Sequence, residues 1–228
     1  MSLSNPCTQN GGTILAIVGA DFSVVAGDTR QSEGYNIQTH FAPKVFRLTD
    51  RAVLAVNGFA ADRNMFVKKV KQRLEDMPLR SIARLIQTML YSRRFFPYYV
   101  YNIWEVSRRT VRSGAVYSFD LVGSYERETC RAAGPVQSLL QPFLDNQPAP
   151  GTPHLTHLPL KVVLALVIDS FTSATERHIE VGDALQIYIV LAKGRGLQGL
   201  EGAKGLEELT ISEDGERIFL VQQDLKKD

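Results

Sequence analysis

Two nearly continuous apolar runs rich in β-branched residues, Thr13 to Gly19 and Phe22 to Gly27, are separated only by Ala20-Asp21. Runs of this kind with two residues between them predict a tight antiparallel hairpin. A strand with one wetted face alternates apolar and polar residues; these do not, so the hairpin is expected to be covered on both sides. Lys44 to Leu48 and Val53 to Val56, joined by Thr49-Asp50-Arg51, form a second pair of the same character. A chain with sheets of this type has to supply a packing layer for each face.

The rest of the chain supplies those layers. Phe66, Val70 and Leu74 line one face of a helix predicted to begin shortly after Gly58. Ile82, Leu85, Ile86, Met89 and Leu90 follow the i, i+3, i+4, i+7, i+8 spacing of a second amphipathic helix, after Met77-Pro78. Pro97 ends the helical region, and Tyr98 to Val106 with Gly114 to Phe119 read as another strand pair. Gly134-Pro135 opens a short third helix, Val136 to Leu144, since proline fits the first helical turn. Leu160 to Arg177 is the most apolar helix and is expected to be the most buried. Ala184 to Leu191 and Arg217 to Gln223 are the closing strands. Strands and helices in separate blocks predict an α+β domain with antiparallel sheets between helical layers. The glycine-rich stretch 193–215 reads as a surface excursion at the tip of the last hairpin. A phosphate loop there lacks the Gly-Lys-Ser/Thr ending.

Composition narrows the classes of function. The net charge of +2 exerts no global pull on nucleic acid or anionic membrane. Nine basic residues against Glu75 and Asp76 between Arg63 and Arg94 read as a solvated helix face. No apolar run is long enough to span a bilayer. Cys7 and Cys130 make neither a disulfide framework nor a metal cluster and read as reduced thiols. His154 and His157, spaced by two in a Pro-rich loop without an acidic or thiol partner, are weak metal ligands. No metal and no cofactor are expected.

The chemistry-bearing signal lies in Gly11-Gly12-Thr13-Ile14-Leu15-Ala16-Ile17-Val18 and the following Ala26-Gly27-Asp28-Thr29-Arg30. With the block order, these residues resemble the proteasome β-subunit family from about Gly11 to the C-terminus. A closer likeness to one class within it rests on Arg93-Arg94-Phe95-Phe96-Pro97-Tyr98-Tyr99-Val100, on Gly123 to Glu128, on Pro142 to Gln147 and on Ser170 to His178. The resemblance implies a four-layer αββα sandwich of the N-terminal-nucleophile hydrolase type. It also implies a mechanism in which an exposed N-terminal threonine attacks a peptide carbonyl and its own α-amine serves as the base. Carried onto this chain, the supporting frame falls on Asp28, Arg30 and Lys44, all retained. The nucleophile belongs sixteen residues before Asp28, and that position is Gly12. The family's accessory serine falls on Pro135, and its Asp…Ser pair falls on His178 and Val181. Cleavage after Gly12 would expose Thr13, but a one-residue slip on a strand turns a side chain to the opposite face, away from Lys44 and Asp28.

The expectation is therefore a non-catalytic structural subunit of the β ring of the 20S core particle. Its partners would be other α and β subunits in stacked heptameric rings, in the cytoplasm and nucleus, with no nucleic acid and no membrane. Residues 1–11 form an N-terminal extension and residues 12–228 a single domain. Without a nucleophile, Asp28 and Lys44 read as a buried ion pair, His178 as a capping or interface residue and Asp145 as a helix-end residue. Two other readings remain at this point: an active N-terminal-threonine protease, and a free-standing binding domain with no role in assembly.

Overall fold

The computed structural model describes residues 9–50, 52–74, 79–106, 115–147, 158–192, 206–211 and 217–227. The chain opens with β1 (Ile14–Val18), β2 (Phe22–Asp28), β3 (Gln31–Glu33), β4 (Asn36–Thr39), β5 (Val45–Thr49) and β6 (Ala52–Gly58). Helices α1 (Ala60–Arg73) and α2 (Leu79–Tyr91) follow. Then come β7 (Val100–Val106), β8 (Ala115–Phe119), β9 (Tyr125–Glu128) and β10 (Cys130–Ala133). Helices α3 (Gln137–Asp145) and α4 (Leu160–Thr175) precede β11 (Ala184–Leu191), β12 (Leu206–Ile211) and β13 (Arg217–Asp224).

The first sheet runs β10-β1-β2-β11-β13-β12, and the second runs β5-β6-β7-β8-β9. All their pairings are antiparallel. Three apolar cores hold the layers together and explain the unbroken runs of the hairpin. Along β1, Leu15 and Ile17 pack with Leu140 and Leu144 of α3 and with Val163, Val167 and Phe171 of α4. The alternate residues Ile14, Ala16 and Val18 join Val45, Val53, Ala55, Ile103 and Val116 of the second sheet. The outer face of that sheet, with Leu54, Val56 and Trp104, packs on Phe66 and Val70 of α1 and on Ile82, Ile86 and Leu90 of α2. The period of two is intact, but both faces are dry, which removes the polar residues that would normally reveal it. The fold is an αββα sandwich of the expected class.

Differences from the sequence reading lie at the edges. β3 and β4 form a small separate hairpin of mostly polar residues. β9 is the polar edge strand of the second sheet, and β10 closes the first sheet against β1. The stretch 193–215 contains β12, which pairs with β13 as an edge strand, so part of the excursion is sheet. Residues 193–205 and 212–216 lie outside the described residues, as do His154, His157 and Cys7.

Cys130 on β10 is buried against α3. Gln141 links the two, its Oε1 accepting from the Ala132 amide at 2.8 Å and its Nε2 donating to Asp145 Oδ1 at 2.9 Å. Asp145 is thus a helix-end residue, 3.8 Å from the Cys130 sulfur. Burial, reinforced by the Asp145 charge, pushes the Cys130 thiol from 9.0 up to about 11.

Two predictions follow from this packing. Phe171→Ala, in the core beneath α4, should cost about 3–5 kcal/mol, whereas Val162→Ala on the exposed face of the same helix should cost about 0.5 kcal/mol or less, both read from chemical denaturation. Between pH 9 and about 11 the unfolded Cys130 ionises before the folded one, so its contribution to stability is lost as pH rises through that window. Cys130→Ala should flatten the fall in melting temperature over the same range.

Candidate active site

The site lies where the chain enters β1. Gly12 has a φ of +76°, a backbone conformation that side chains other than glycine's resist. Its amide donates to Glu180 O at 2.9 Å, and its carbonyl accepts from Asn57 Nδ2 at 3.2 Å. The same Asn57 nitrogen donates to Ala133 O at 3.0 Å, joining β6, β10 and the segment before β1. A Cβ placed on Gly12 would overlap the Lys44 side chain from Cδ to Nζ. The space that a nucleophile's side chain would need is filled by lysine.

Lys44 is completely buried. Its Nζ donates to Arg30 O at 2.6 Å and to Asp28 O at 2.9 Å, reaches Ala42 O at 3.5 Å and lies 3.5 Å from Asp28 Oδ1. Burial lowers the ammonium to about 8; Asp28 counters part of that shift and Arg63 adds to it. Asp28 is equally buried. Burial raises its carboxyl above the usual range, against the opposing pull of Lys44 and of amide donors from Thr13 and Gly182. Those donors reach it at 2.7 Å and 3.4 Å, and the Arg30 amide at 3.3 Å.

Arg30, also fully buried, anchors the loop after α4. Its Nε donates to Asp183 Oδ2 at 2.9 Å, and its Nη1 donates to Ile179 O at 2.9 Å. Asp183 has a φ of +71° and also contacts His40 Nδ1 at 2.7 Å. Burial alone would raise the Asp183 carboxyl, but hydrogen bonds from Arg30 and His40 hold it below the ordinary range. Asp183, His40 and Asn57 were not found in the sequence. The one available signal was Gly182-Asp183, a pair typical of turns that need positive φ.

The segment before Gly12 is fixed as well. Asn10 donates its amide to Gly58 O at 3.2 Å and accepts from the Ser32 amide at 3.1 Å. Its side-chain oxygen accepts from the Ala60 amide at 2.8 Å, capping the first turn of α1.

The structure brings the other family positions to this place without their chemistry. A Cβ on Gly134 would come 2.6 Å from Gly12 O, so the Gly134-Pro135 turn lies against the seat, with no hydroxyl at 135. Val181 packs into the core between the first sheet and its helices. His178 lies past the end of α4, where its amide bonds Ala174 O at 3.0 Å and its Nδ1 accepts from the Glu180 amide at 3.4 Å. It serves as a local cap. The Thr13 hydroxyl is buried and makes no hydrogen bond; Thr13 meets Asp28 through its backbone, the amide donating to Asp28 Oδ1 at 2.7 Å and the carbonyl accepting from the Asp28 amide at 3.3 Å. A cavity of about 120 Å³ opens beside Gly11, lined by Asn57, Gly58, Tyr101, Gly134 and Pro135 among others, but neither Lys44 nor Asp28 lines it. Among the described residues, no three His, Cys, Asp or Glu side chains converge as a metal site.

Residues 8–190 match the family model described as Proteasome subunit. The chain belongs to the proteasome subunit family. It is 50% identical to Proteasome subunit beta type-6 of Saccharomyces cerevisiae, over 83% of this chain and 87% of that protein. It is 45% identical to Proteasome subunit beta type-1 of Danio rerio, over 83% and 84% of the two chains. With Probable proteasome subunit beta type-6 of Schizosaccharomyces pombe the identity is 42%, over 83% and 92%. The chain is thus a proteasome β subunit of the core particle, in a family of threonine peptidases whose members assemble with other α and β subunits in stacked rings. No helix among its described residues is long and apolar enough to cross a membrane.

In this proteasome subunit, Lys44 and Asp28 form a fully buried charge pair. Lys44→Met or Asp28→Asn leaves the other partner uncompensated and should cost about 3–5 kcal/mol. The cost should show as a fall in melting temperature, and the Lys44→Met/Asp28→Asn double variant should lose less than the sum of the single changes. Gly12→Ala should cost at least about 1–3 kcal/mol from its φ alone, before the overlap with Lys44 is counted.

Proposed function

We infer that this subunit is a non-catalytic member of the β ring. It helps to wall the chamber in which neighbouring active subunits cut ubiquitin-marked proteins, in the cytoplasm and nucleus. The observation that carries the reading is the filled seat: the nucleophile's position is a glycine, and the volume its side chain would occupy holds the buried Lys44. An N-terminal-threonine mechanism needs both a hydroxyl and a free amine at that point. Here the residue has no hydroxyl, and its nitrogen is an amide bonded to Glu180 O.

The alternative is an active protease with Thr13 as its nucleophile. In its favour, the Thr13 nitrogen is 2.7 Å from Asp28 Oδ1. Against it, freeing that nitrogen requires removal of Asn10 and its α1 cap, and the Thr13 hydroxyl contacts neither Lys44 nor Asp28 through a hydrogen bond.

The test treats the assembled particle with an electrophile directed at N-terminal threonines and then measures the intact mass of each subunit. The expected outcome is an adduct on the active subunits and none on this chain. An adduct on Thr13 would overturn the reading. Gly12→Thr in the full chain should likewise gain no label.

A further inference from the structure

Before it enters β1, the chain crosses the gap between β3 and β6 and bonds to both. The Asn10 amide donates to the carbonyl of Gly58, the last residue of β6, at 3.2 Å, and the Asn10 carbonyl accepts from the Ser32 amide of β3 at 3.1 Å. The other edge of β3 is taken by β4, where Ile37 stands opposite Ser32. Asn10 is thus held as an added strand is held, by main-chain bonds to the elements on either side. Its side chain is buried and engaged as well. Oδ1 accepts from the Ala60 amide at 2.8 Å, at the start of α1, and Nδ2 donates to Gln38 Oε1 at 3.4 Å.

The walls of this slot are bonded to one another and not only to their occupant. Arg63 Nη2 donates to Gln31 Oε1 at 3.2 Å, Gln31 Nε2 to Gln38 Oε1 at 2.8 Å and Gln38 Nε2 to Glu33 Oε2 at 2.6 Å. This row runs from α1 across the β3–β4 hairpin, and none of its links passes through residue 10. A slot built beforehand loses little conformational freedom when it is filled. Its exit is narrow: a Cβ on Gly11 would come 2.5 Å from Ser32 Oγ and 2.9 Å from Glu180 Cβ, so the residue after the asparagine has to be glycine.

We propose that the gap between β3 and β6 is a binding slot for an extended peptide carrying asparagine, and that residues 9–11 of this chain are its built-in occupant. Removal of the leading segment uncovers the slot for the same kind of peptide supplied by another molecule. Asparagine is selected because one short side chain has to accept from the Ala60 amide and donate to Gln38 at once. While it is attached, the leading segment excludes free peptides, since a tethered occupant acts at an effective concentration on the order of millimolar. The proposal goes beyond the non-catalytic reading and does not depend on it: the electrophile above reads residue 13, and the experiment below reads the place of residue 10.

The experiment uses the assembled particle with its active subunits blocked. The probe is the tripeptide amide Thr-Gln-Asn-NH2 with a photoreactive benzophenone acyl group on its N-terminus. A particle in which this chain begins at Gly12 should crosslink the probe to this chain about tenfold or more above a particle with the full-length chain, where the tethered segment competes. The same probe with alanine in place of asparagine should lose that gain. Asn10→Ala in the full-length chain keeps the leading segment but removes its side-chain bonds, and it should raise crosslinking several-fold at millimolar probe. This second variant carries the test where the shortened chain does not enter the particle. Equal labelling of the unaltered full-length chain, equal labelling by the alanine probe, or no labelling of this chain in either variant contradicts the proposal.

Discussion

An ammonium group with no exposed surface has to find all of its solvation inside the protein, and Lys44 finds it in the backbone of its neighbours. Three carbonyls, from Asp28, Arg30 and Ala42, and one carboxylate share its protons. Those carbonyls are available only because the chain turns sharply after β2 and runs back past the end of the first hairpin. The same ammonium leaves no room for a side chain at residue 12, so glycine there is a packing requirement. Asp28 in turn gathers amide donors from Thr13, Arg30 and Gly182, which fixes the entry to β1 and the loop after α4 around one charge pair.

That local arrangement is held by the global one. β1 and β2 lie within the first sheet, dry on both faces, and carry Asp28 at the end of a fully buried strand. Arg30 then reaches across to Asp183, next to the first residue of β11, and closes the end of the sandwich where the frame residues meet. Rigid strands deliver these groups, and the loops only complete their hydrogen bonds. The framework at this end of the sandwich thereby stabilises the fold, whatever chemistry it supports.

Much of this was legible in the residues, for identifiable reasons. The strands and helices of the cores follow from apolar runs and helical spacing, whereas Asp28, Arg30 and Lys44 follow from the resemblance to the family's motif, and Gly12 from counting sixteen residues back from Asp28. β3, β4 and β9 were not legible, because Gln31-Ser32-Glu33, Asn36-Ile37-Gln38-Thr39 and Tyr125-Glu126-Arg127-Glu128 are short or polar and gain their identity from a partner strand. β12 lay hidden in a glycine-rich acidic stretch, since an edge strand needs only one neighbour. Asn10, His40, Asn57 and Asp183 act across long sequence separations, as in the Arg30–Asp183 pair, and carry no local pattern. Lys44 was expected as half of an ion pair, but its occupation of the missing side chain's volume is a fact of three dimensions.

The bond from Asn10 to the Ala60 amide sets a boundary on the life history of the polypeptide. For a peptidase that removes residues from the front of the chain, cutting just before this asparagine leaves the bond intact. One residue further, α1 loses its cap, and the Ser32 amide and the Gly58 carbonyl lose their partners. The first helix thereby records whether the segment just before β1 is still in place, and a trimmed chain that keeps this cap must begin at or before Asn10.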